Sequence, residues 1–201
     1  MKSLQSVQGL VVRQKKEMAE VFTGFETKNA YEVFDLMGQM LFLAVEEGGS
    51  FLVRWFLKAL RPFEIFVRST DDQDVLKIKR PFRFFFHEAT VYDGLGRELG
   101  RIKREFSLLR RVYAITGRMG ETVYRLVGPV FRPWTFLIHK GGAECGKIAK
   151  KWSGVLKETF TDADNFGVEF PPDARPQDKA LLLGAVFLID FVHFENKGNR
   201  R

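Results

Sequence analysis

Residues 179–195 read KALLLGAVFLIDFVHFE, with ten uninterrupted apolar residues from Ala180 to Ile189 before the charge of Asp190. A helix that is apolar on every side must be buried, either in protein or in lipid. A membrane span needs about 20 apolar residues, whereas runs of about 10 to 14 are typical of buried core helices. Because Asp190 would lie in the hydrocarbon of a spanning helix, at a cost of about 2.5–3.5 kcal/mol, the sequence favours a buried helix over a span.

The rest of the chain predicts a container for this helix. From Tyr31 onward, short β-like runs alternate with turn signals at the spacing of a barrel or a sandwich. We predict about ten strands before residue 151, joined by short loops, which favours an antiparallel meander. A barrel of about ten or more strands is wide enough to hold a helix. We therefore expect a mainly β protein, a closed antiparallel barrel around helix 179–195, with Asp190 and His193 bonded to each other near its mouth.

The domain organisation is simple, because no linker or internal repeat divides the 201 residues. We predict a flexible basic arm over residues 1–20, a single barrel domain over 21–196 and a tail over 197–201. Residues 1–26 lack the pattern of a signal peptide, so we expect the cytoplasmic side of a membrane. The lone Cys145 is expected to be a small apolar strand residue in a reducing compartment.

Charge and missing motifs limit the function. The net charge of +7 favours acidic partners, and both anionic lipid and nucleic acid qualify. There is no Gly-x-Ser-x-Gly motif, and His87, His139 and His193 do not have the spacing of zinc ligands. Gly94-Leu95-Gly96 is interpreted as a turn, since predicted hairpin strands flank it. We therefore expect no covalent chemistry, and the protein is not predicted to be an enzyme.

Several short motifs carry a resemblance to a known family. Residues 146–173 read GKIAKKWSGVLKETFTDADNFGVEFPPD. The other motifs are Gly24-Phe25-Glu26-Thr27, Asn29, Gly38-Gln39, Arg61-Pro62-Phe63, Arg80-Pro81, Gly128-Pro129 and Leu188-Ile189-Asp190-Phe191. Together they resemble the phospholipid scramblase family over about residues 20–195. The resemblance implies a barrel of about twelve strands around a hydrophobic C-terminal helix, similar to the tubby C-terminal domain and the plant LURP-one-related proteins.

The resemblance also implies a function, the calcium-responsive bidirectional movement of phospholipids between bilayer leaflets. The alternative is a membrane-associated regulatory module that binds anionic lipid or nucleic acid without scrambling. This alternative arises because scrambling needs a polar track or a thinned bilayer, and a barrel with its apolar helix inside offers neither. In both cases we expect an anionic phospholipid membrane as partner, nucleic acid as a lesser one, peripheral or single-span membrane association, and a monomer or weak oligomer.

The family's proposed calcium segment falls on residues 162–173. Its ligands would be the side chains or backbone of Asp162, Asp164, Phe166, Val168, Phe170 and Asp173. In a twelve-residue loop of the EF-hand type, the three aspartates supply side-chain oxygens, whereas both phenylalanines lack one, so Ca²⁺ binding should be weak. Alternatively, Asp162 and Asp164 shape a turn into a strand from Phe166 to Phe170.

Two basic stretches are predicted to contact anionic lipid. A short amphipathic helix over residues 48–60 either lies on the membrane, with its arginine and lysine at the headgroups, or plugs one barrel end. A lysine cluster around Trp152 is a headgroup site, a solvated strand edge, or a nuclear import or DNA contact. The predicted contact residues are Arg54, Trp55, Lys58, Lys147, Lys150 and Lys151.

Overall fold

The computed structural model describes residues 2–15, 29–47, 60–82, 86–150 and 165–194. The strands are β1 (Gly9–Lys15), β2 (Ala30–Asp35), β3 (Met40–Glu47), β4 (Phe63–Ser69), β5 (Asp74–Arg80), β6 (Glu88–Asp93), β7 (Glu98–Glu105), β8 (Arg111–Gly117), β9 (Thr122–Gly128), β10 (Thr135–Lys140), β11 (Ala143–Lys150) and β12 (Asn165–Glu169). A long helix, α1 (Pro176–His193), follows β12, and a 3₁₀ turn (Lys2–Leu4) precedes β1. Within these residues, the twelve strands form one closed antiparallel barrel around α1, which confirms the predicted fold.

Side chains along each strand point alternately into and out of the barrel, so the wall has two different faces. On β5, Leu76 and Ile78 are fully buried towards α1, while Lys77 and Lys79 point outward. The two lysines lie 2.8 and 3.0 Å from the carboxylate of Glu64 on β4, which lowers the pKa of Glu64 against the opposing effect of its partial burial. The wall therefore has an apolar inner face and a charged outer face, as period-two alternation requires.

Helix α1 is enclosed on all sides. From Asp178 to Phe191 every side chain is buried, and the residues of α1 share one apolar core with those of the strands. Gly184 packs closely against the wall, since a β-carbon there would lie 2.7 Å from Cγ2 of Val91 on β6. The interpretation as a buried helix is correct, although α1 begins and ends slightly earlier than the predicted 179–195. In the described part of the chain, no helix combines the length and apolarity that crossing a membrane requires.

The N-terminal segment differs from the prediction of a flexible arm over residues 1–20. Residues 9–15 form β1, which pairs with β12 on one side and with β2 on the other and so closes the barrel. Two of the basic residues that suggested an arm, Arg13 and Lys15, pair with the carboxylate of Glu32 on β2. Lys179 of α1 adds a further anchor, because its ammonium group donates to the backbone carbonyls of Leu4 and Gln5, at the end of the 3₁₀ turn that precedes β1.

The two ends of the barrel are unlike. At the hairpin end, tight turns join β2–β3, β4–β5, β6–β7, β8–β9 and β10–β11. Several of these turns have glycines at positive φ, such as Gly38 at 84° and Gly120 at 87°, a conformation that favours glycine. At the loop end, longer connections join β1–β2, β3–β4, β5–β6, β7–β8, β9–β10 and β11–β12. Helix α1 begins at the hairpin end and finishes at the loop end.

Candidate functional site at the loop end of the barrel

A buried ion pair lies where α1 reaches the loop end. The ammonium group of Lys150, the last residue of β11, is 3.3 Å from Oδ1 of Asp190, and both side chains are under 10% exposed. Tyr31 on β2 donates its hydroxyl to Oδ2 of the same carboxylate at 3.0 Å. The rings of Phe166 and Phe194 pack against the ammonium group. The charge of Asp190 is therefore balanced by protein groups, which explains how it is accommodated beside the apolar run of α1.

Two arginines flank the ring of Phe191, the next residue of α1. The guanidinium carbons of Arg61 and Arg80 lie 4.3 and 4.7 Å from the centre of this ring. Arg61 also makes a two-pronged ion pair with Glu46 on β3, and Asn29 donates to the same carboxylate at 2.6 Å. Arg61 thus stacks on an aromatic ring and binds a carboxylate through two nitrogens at once. Lysine can lie over a ring, but it cannot form the two-pronged contact.

The histidines near this end serve the packing. His87 lies beside Arg80, with Nδ1 2.6 Å from a guanidinium nitrogen, and burial together with Arg80 and Arg104 lowers its pKa to about 4. His193 shares a hydrogen bond of 2.8 Å with the hydroxyl of Tyr113 on β8, and burial raises the pKa of that tyrosine. The predicted bond between His193 and Asp190 is therefore replaced by partners on the barrel wall, because the two side chains point to different strands.

The predicted calcium segment is described only in its second half. Asp162 and Asp164 lie outside the described residues. Phe166 and Val168 belong to β12, with buried side chains, and β12 pairs with β1 and β11. This is the strand of the alternative interpretation, and Phe170 is also buried after its end. A strand paired on both sides does not wrap around an ion, so Asp173, which follows β12, is the only predicted ligand in the described half that offers a side-chain carboxylate.

Asp173 itself is held by a cation. Its carboxylate contacts the ammonium group of Lys140 at the end of β10, and this contact lowers the pKa of Asp173 and raises that of Lys140. Over the described ranges, no three His, Cys, Asp or Glu side chains are grouped to hold a metal ion. A calcium site in this segment would therefore depend on Asp162 and Asp164, together with release of Asp173 from Lys140.

The predicted lipid contacts are only partly described. Arg54, Trp55, Lys58 and Lys151 lie outside the described residues. Lys147 is on the outer face of β11 and pairs with Glu169 at 3.1 Å, as a solvated strand edge does. Lys150 is buried against Asp190, so its ammonium group is not presented to a headgroup. The alternation of β11 sends these two lysines to opposite faces, which the prediction of one basic cluster did not take into account.

Comparison with known proteins identifies the family. The family model described as Scramblase matches residues 1–196. The chain belongs to the phospholipid scramblase family. It is 34% identical to Phospholipid scramblase 1 of Mus musculus, over 98% of this chain and 64% of that protein. It is 32% identical to Phospholipid scramblase 1 of Homo sapiens, over 98% and 66% of the two chains, and 32% identical to Phospholipid scramblase 2 of Bos taurus, over 96% and 70%. The chain thus spans about two thirds of the length of these relatives.

The fold also has a solved counterpart. The X-ray structure of a protein from Arabidopsis thaliana superposes with a TM-score of 0.54, at 10% identity, over 94% of both chains. Such a low identity supports the shared fold and nothing finer. It agrees with the expected likeness of a scramblase-family barrel to a tubby-like fold.

Four of the motifs that carried the scramblase resemblance meet at the loop end, whereas Gly38-Gln39 lies in the β2–β3 turn at the hairpin end. Asn29, Arg61, Arg80, Asp190 and Phe191 come from four separate parts of the sequence and lie around the last turn of α1. They form a buried polar layer across the barrel mouth. The two arginines carried a sequence signal, since each precedes a proline at a strand boundary, but strand register was needed to show that both contact the same ring.

Sequence reasoning missed the exposed apolar loops above this layer. Phe106, Leu108 and Leu109 connect β7 to β8, and Val130 and Phe131 connect β9 to β10, and all five are exposed. The signal was present in the stretches FSLLR and PVFRP.

Proposed function

We propose that this protein moves phospholipids between the two leaflets of a bilayer, in response to calcium. The observation that carries the proposal is the identity to Phospholipid scramblase 1, which extends over 98% of this chain. The proposal includes an anionic membrane as partner and peripheral attachment to its cytoplasmic side. Lipid translocation breaks and forms no covalent bond, so it needs no catalytic residues.

A second candidate function is an anionic-lipid binding module that does not move lipid. The specific observation in its favour is the burial of α1 inside the barrel. A polar headgroup crosses hydrocarbon only along a polar path or through a thinned, disordered bilayer. A peripheral barrel would have to act in the second way, by inserting side chains into one leaflet and lowering the barrier locally.

A reconstitution assay separates the two candidates. Vesicles carrying a fluorescent phospholipid in both leaflets are prepared with purified protein, and a membrane-impermeant reductant bleaches the outer leaflet. Scrambling brings inner-leaflet lipid to the reductant, so that bleaching continues beyond half of the signal when calcium is present. Empty vesicles and vesicles with heat-unfolded protein are the controls. Bleaching that stops at the level of empty vesicles, with protein bound, contradicts translocation and favours the binding module.

Calcium binding can be tested separately from lipid movement, because Lys140 competes with Ca²⁺ for the carboxylate of Asp173, one of the proposed ligands. If Asp173 contributes to a site, Lys140→Met should strengthen Ca²⁺ binding, since the carboxylate no longer has to leave an ammonium group. Asp173→Asn and Asp162→Asn should weaken it. Calorimetry at millimolar Ca²⁺, with Mg²⁺ as control, measures all four proteins. No heat of binding to the unaltered chain, or heats unchanged in all three variants, contradicts the calcium part of the proposal alone.

A further inference from the structure

The exposed apolar side chains are unevenly divided between the two ends of the barrel. Among the described residues, the exposed large apolar side chains of the hairpin end are Met37, Leu95 and Met119. Those of the loop end are Phe82, Phe86, Phe106, Leu108, Leu109, Val130, Phe131 and Trp134. Single apolar residues at hairpin tips are ordinary, whereas a group at one end marks an interaction surface.

Five of these residues form one surface, which we name the apolar loop pair: Phe106, Leu108, Leu109, Val130 and Phe131. The two loops are joined by Arg111, the first residue of β8, whose guanidinium group donates to the backbone carbonyls of Pro129, Arg132 and Pro133 at 2.6–3.4 Å. Each loop is also closed by a turn, through Arg110 N to Ser107 Oγ and Arg132 N to Pro129 O. These bonds hold the loops in place with Leu108 88% and Phe131 96% exposed.

The charges around the apolar loop pair are mostly positive. Residues 103–111 and 129–134 contain five basic side chains and one acidic side chain, and that acid, Glu105, is paired with Arg125 at 3.4 Å. The hairpin end has the opposite balance. Its five turns, over 35–39, 69–74, 93–98, 117–122 and 140–144, contain eight acidic and three basic side chains. Among these described residues, the apolar loop pair is therefore surrounded by net positive charge and the hairpin turns by net negative charge, so an anionic surface would attract the loop pair and repel the hairpin turns.

Resting on the proposed function, we infer that the apolar loop pair is the membrane-docking surface of this protein, with its phenylalanines and leucines inserted between the phospholipids of an anionic leaflet. Apolar side chains at the tip with arginines behind them fit the boundary between acyl chains and phosphates. A single-stranded nucleic acid would instead need aromatic platforms for stacking, and three of the five side chains are aliphatic. The mostly aliphatic composition of the apolar loop pair therefore favours lipid over nucleic acid as its partner.

Vesicle sedimentation tests the surface with matched variants. Leu109→Ser with Phe131→Ser removes two exposed apolar side chains from the loop end, and Leu95→Ser with Met119→Ser removes two from the hairpin end. On vesicles of phosphatidylcholine with phosphatidylserine, the loop variant should bind about tenfold or more weakly than the unaltered chain, because each buried side chain contributes a large share of partitioning. The hairpin variant should bind as the unaltered chain does. Equal loss in both variants, or loss in neither, overturns the inference.

The arginines provide a second, independent measurement. Arg110→Gln with Arg132→Gln should weaken binding to vesicles that contain phosphatidylserine, and the binding that remains should depend less on salt concentration. Arg118→Gln at the hairpin end should have no effect. If the arginine variant instead abolishes binding to duplex DNA while vesicle binding is unchanged, nucleic acid is the partner and the inference is overturned.

Insertion itself is measured with a site-specific label, since the chain contains one cysteine. In a Cys145→Ser background, a fluorophore at Leu109→Cys should be quenched by acyl-chain quenchers, and one at Leu95→Cys should not. Quenching at neither site, with protein bound, overturns the inference.

Failure of the docking surface can be distinguished from failure of the proposed function. Scrambling that survives the loop variant contradicts only the docking surface, and docking without lipid movement contradicts only translocation.

Discussion

The ammonium group of Lys150 lies 3.3 Å from the carboxylate of Asp190, across the space between the last turn of α1 and the end of β11, with both side chains buried. This contact joins the enclosed helix to the wall of the barrel. It also stabilises a charged residue that directly follows the apolar run of α1, and its energetics differ from those of a surface ion pair.

Removing one partner of this pair should be costly. Lys150→Met removes the cation that faces the buried carboxylate of Asp190 and should lower the free energy of unfolding by about 3–5 kcal/mol. Asp190→Leu should have a similar cost, and the double variant should cost less than the sum of the two. Urea unfolding of the four proteins gives the coupling.

The control for this cycle is an exposed pair on the same strand. Lys147→Met and Glu169→Gln, which break a contact of 3.1 Å between half-exposed groups, should show a coupling of about 1 kcal/mol or less. Equal coupling energies in the two cycles would contradict the claim that burial strengthens the coupling between Lys150 and Asp190.

Arg61 should not tolerate a lysine. Arg61→Lys keeps the charge but loses the fork to Glu46 and the stacking on Phe191, so we expect a loss of about 2 kcal/mol or more in the free energy of unfolding. The control is Arg68→Lys, because Arg68 bonds Asp74 at the exposed hairpin end, and it should cost about 0.5 kcal/mol or less. Thermal unfolding of both variants measures the difference, and similar losses would refute the role of the fork.

Gly184 should not tolerate a larger side chain. A β-carbon there would lie 2.7 Å from Val91, so Gly184→Val forces α1 away from β6 and should lower the free energy of unfolding by about 1–3 kcal/mol. Gln177→Val, at an exposed position of the first turn of the same helix, tests the effect of the valine alone. Chemical unfolding that shows an equal loss at both positions would mean that the contact with Val91 does not set the cost, since valine has a better helix propensity than glycine.

His87 predicts a pH dependence of stability. Its pKa in the folded protein is about 4, against an ordinary value of 6.5, because burial and the charges of Arg80 and Arg104 disfavour the protonated ring. The unfolded chain therefore takes up the proton first as pH falls, and stability is lost between pH 6.5 and 4 and then stays level. Because the ring is only half-buried, we expect about 1–2 kcal/mol rather than the full value of the shift.

The measurement for His87 compares unfolding free energies from pH 8 to pH 4. The variant His87→Gln removes this titration, so the difference between variant and unaltered protein should change across that interval and be constant above it. A difference that is independent of pH would show that the ring titrates alike in the folded and unfolded chains.

The sequence predicted the parts of this fold that depend on local pattern. The apolar run from Ala180 to Ile189 was enough to expect an enclosed helix, and the hairpin turns followed from glycine and aspartate positions. Strand β1 was missed because Val11 is buried on the outer side, where it packs with Phe34, so the alternation that marks other strands is lost. Its charges also lack partners until Glu32 is brought beside them by pairing with β2.

The candidate site was harder to predict because it is assembled from distant segments. Arg61, Arg80 and Phe191 come together only when β4, β5 and α1 are placed in register. Lys147 and Lys150 were treated as one cluster, although the strand sends one outward and the other inward. The resemblance to a family pointed to several of these residues, but which atoms meet depends on the fold.

Closure of the barrel by β1 and β12 bears on how the chain is made. One partner of β1 lies more than 150 residues further along the chain, as the pairing of Leu10 with Val168 shows. Until β12 and α1 have been synthesised, the described sheet has two open edges and an uncovered apolar interior. The barrel should therefore close only once both elements are present, and partly synthesised chains should be prone to aggregate.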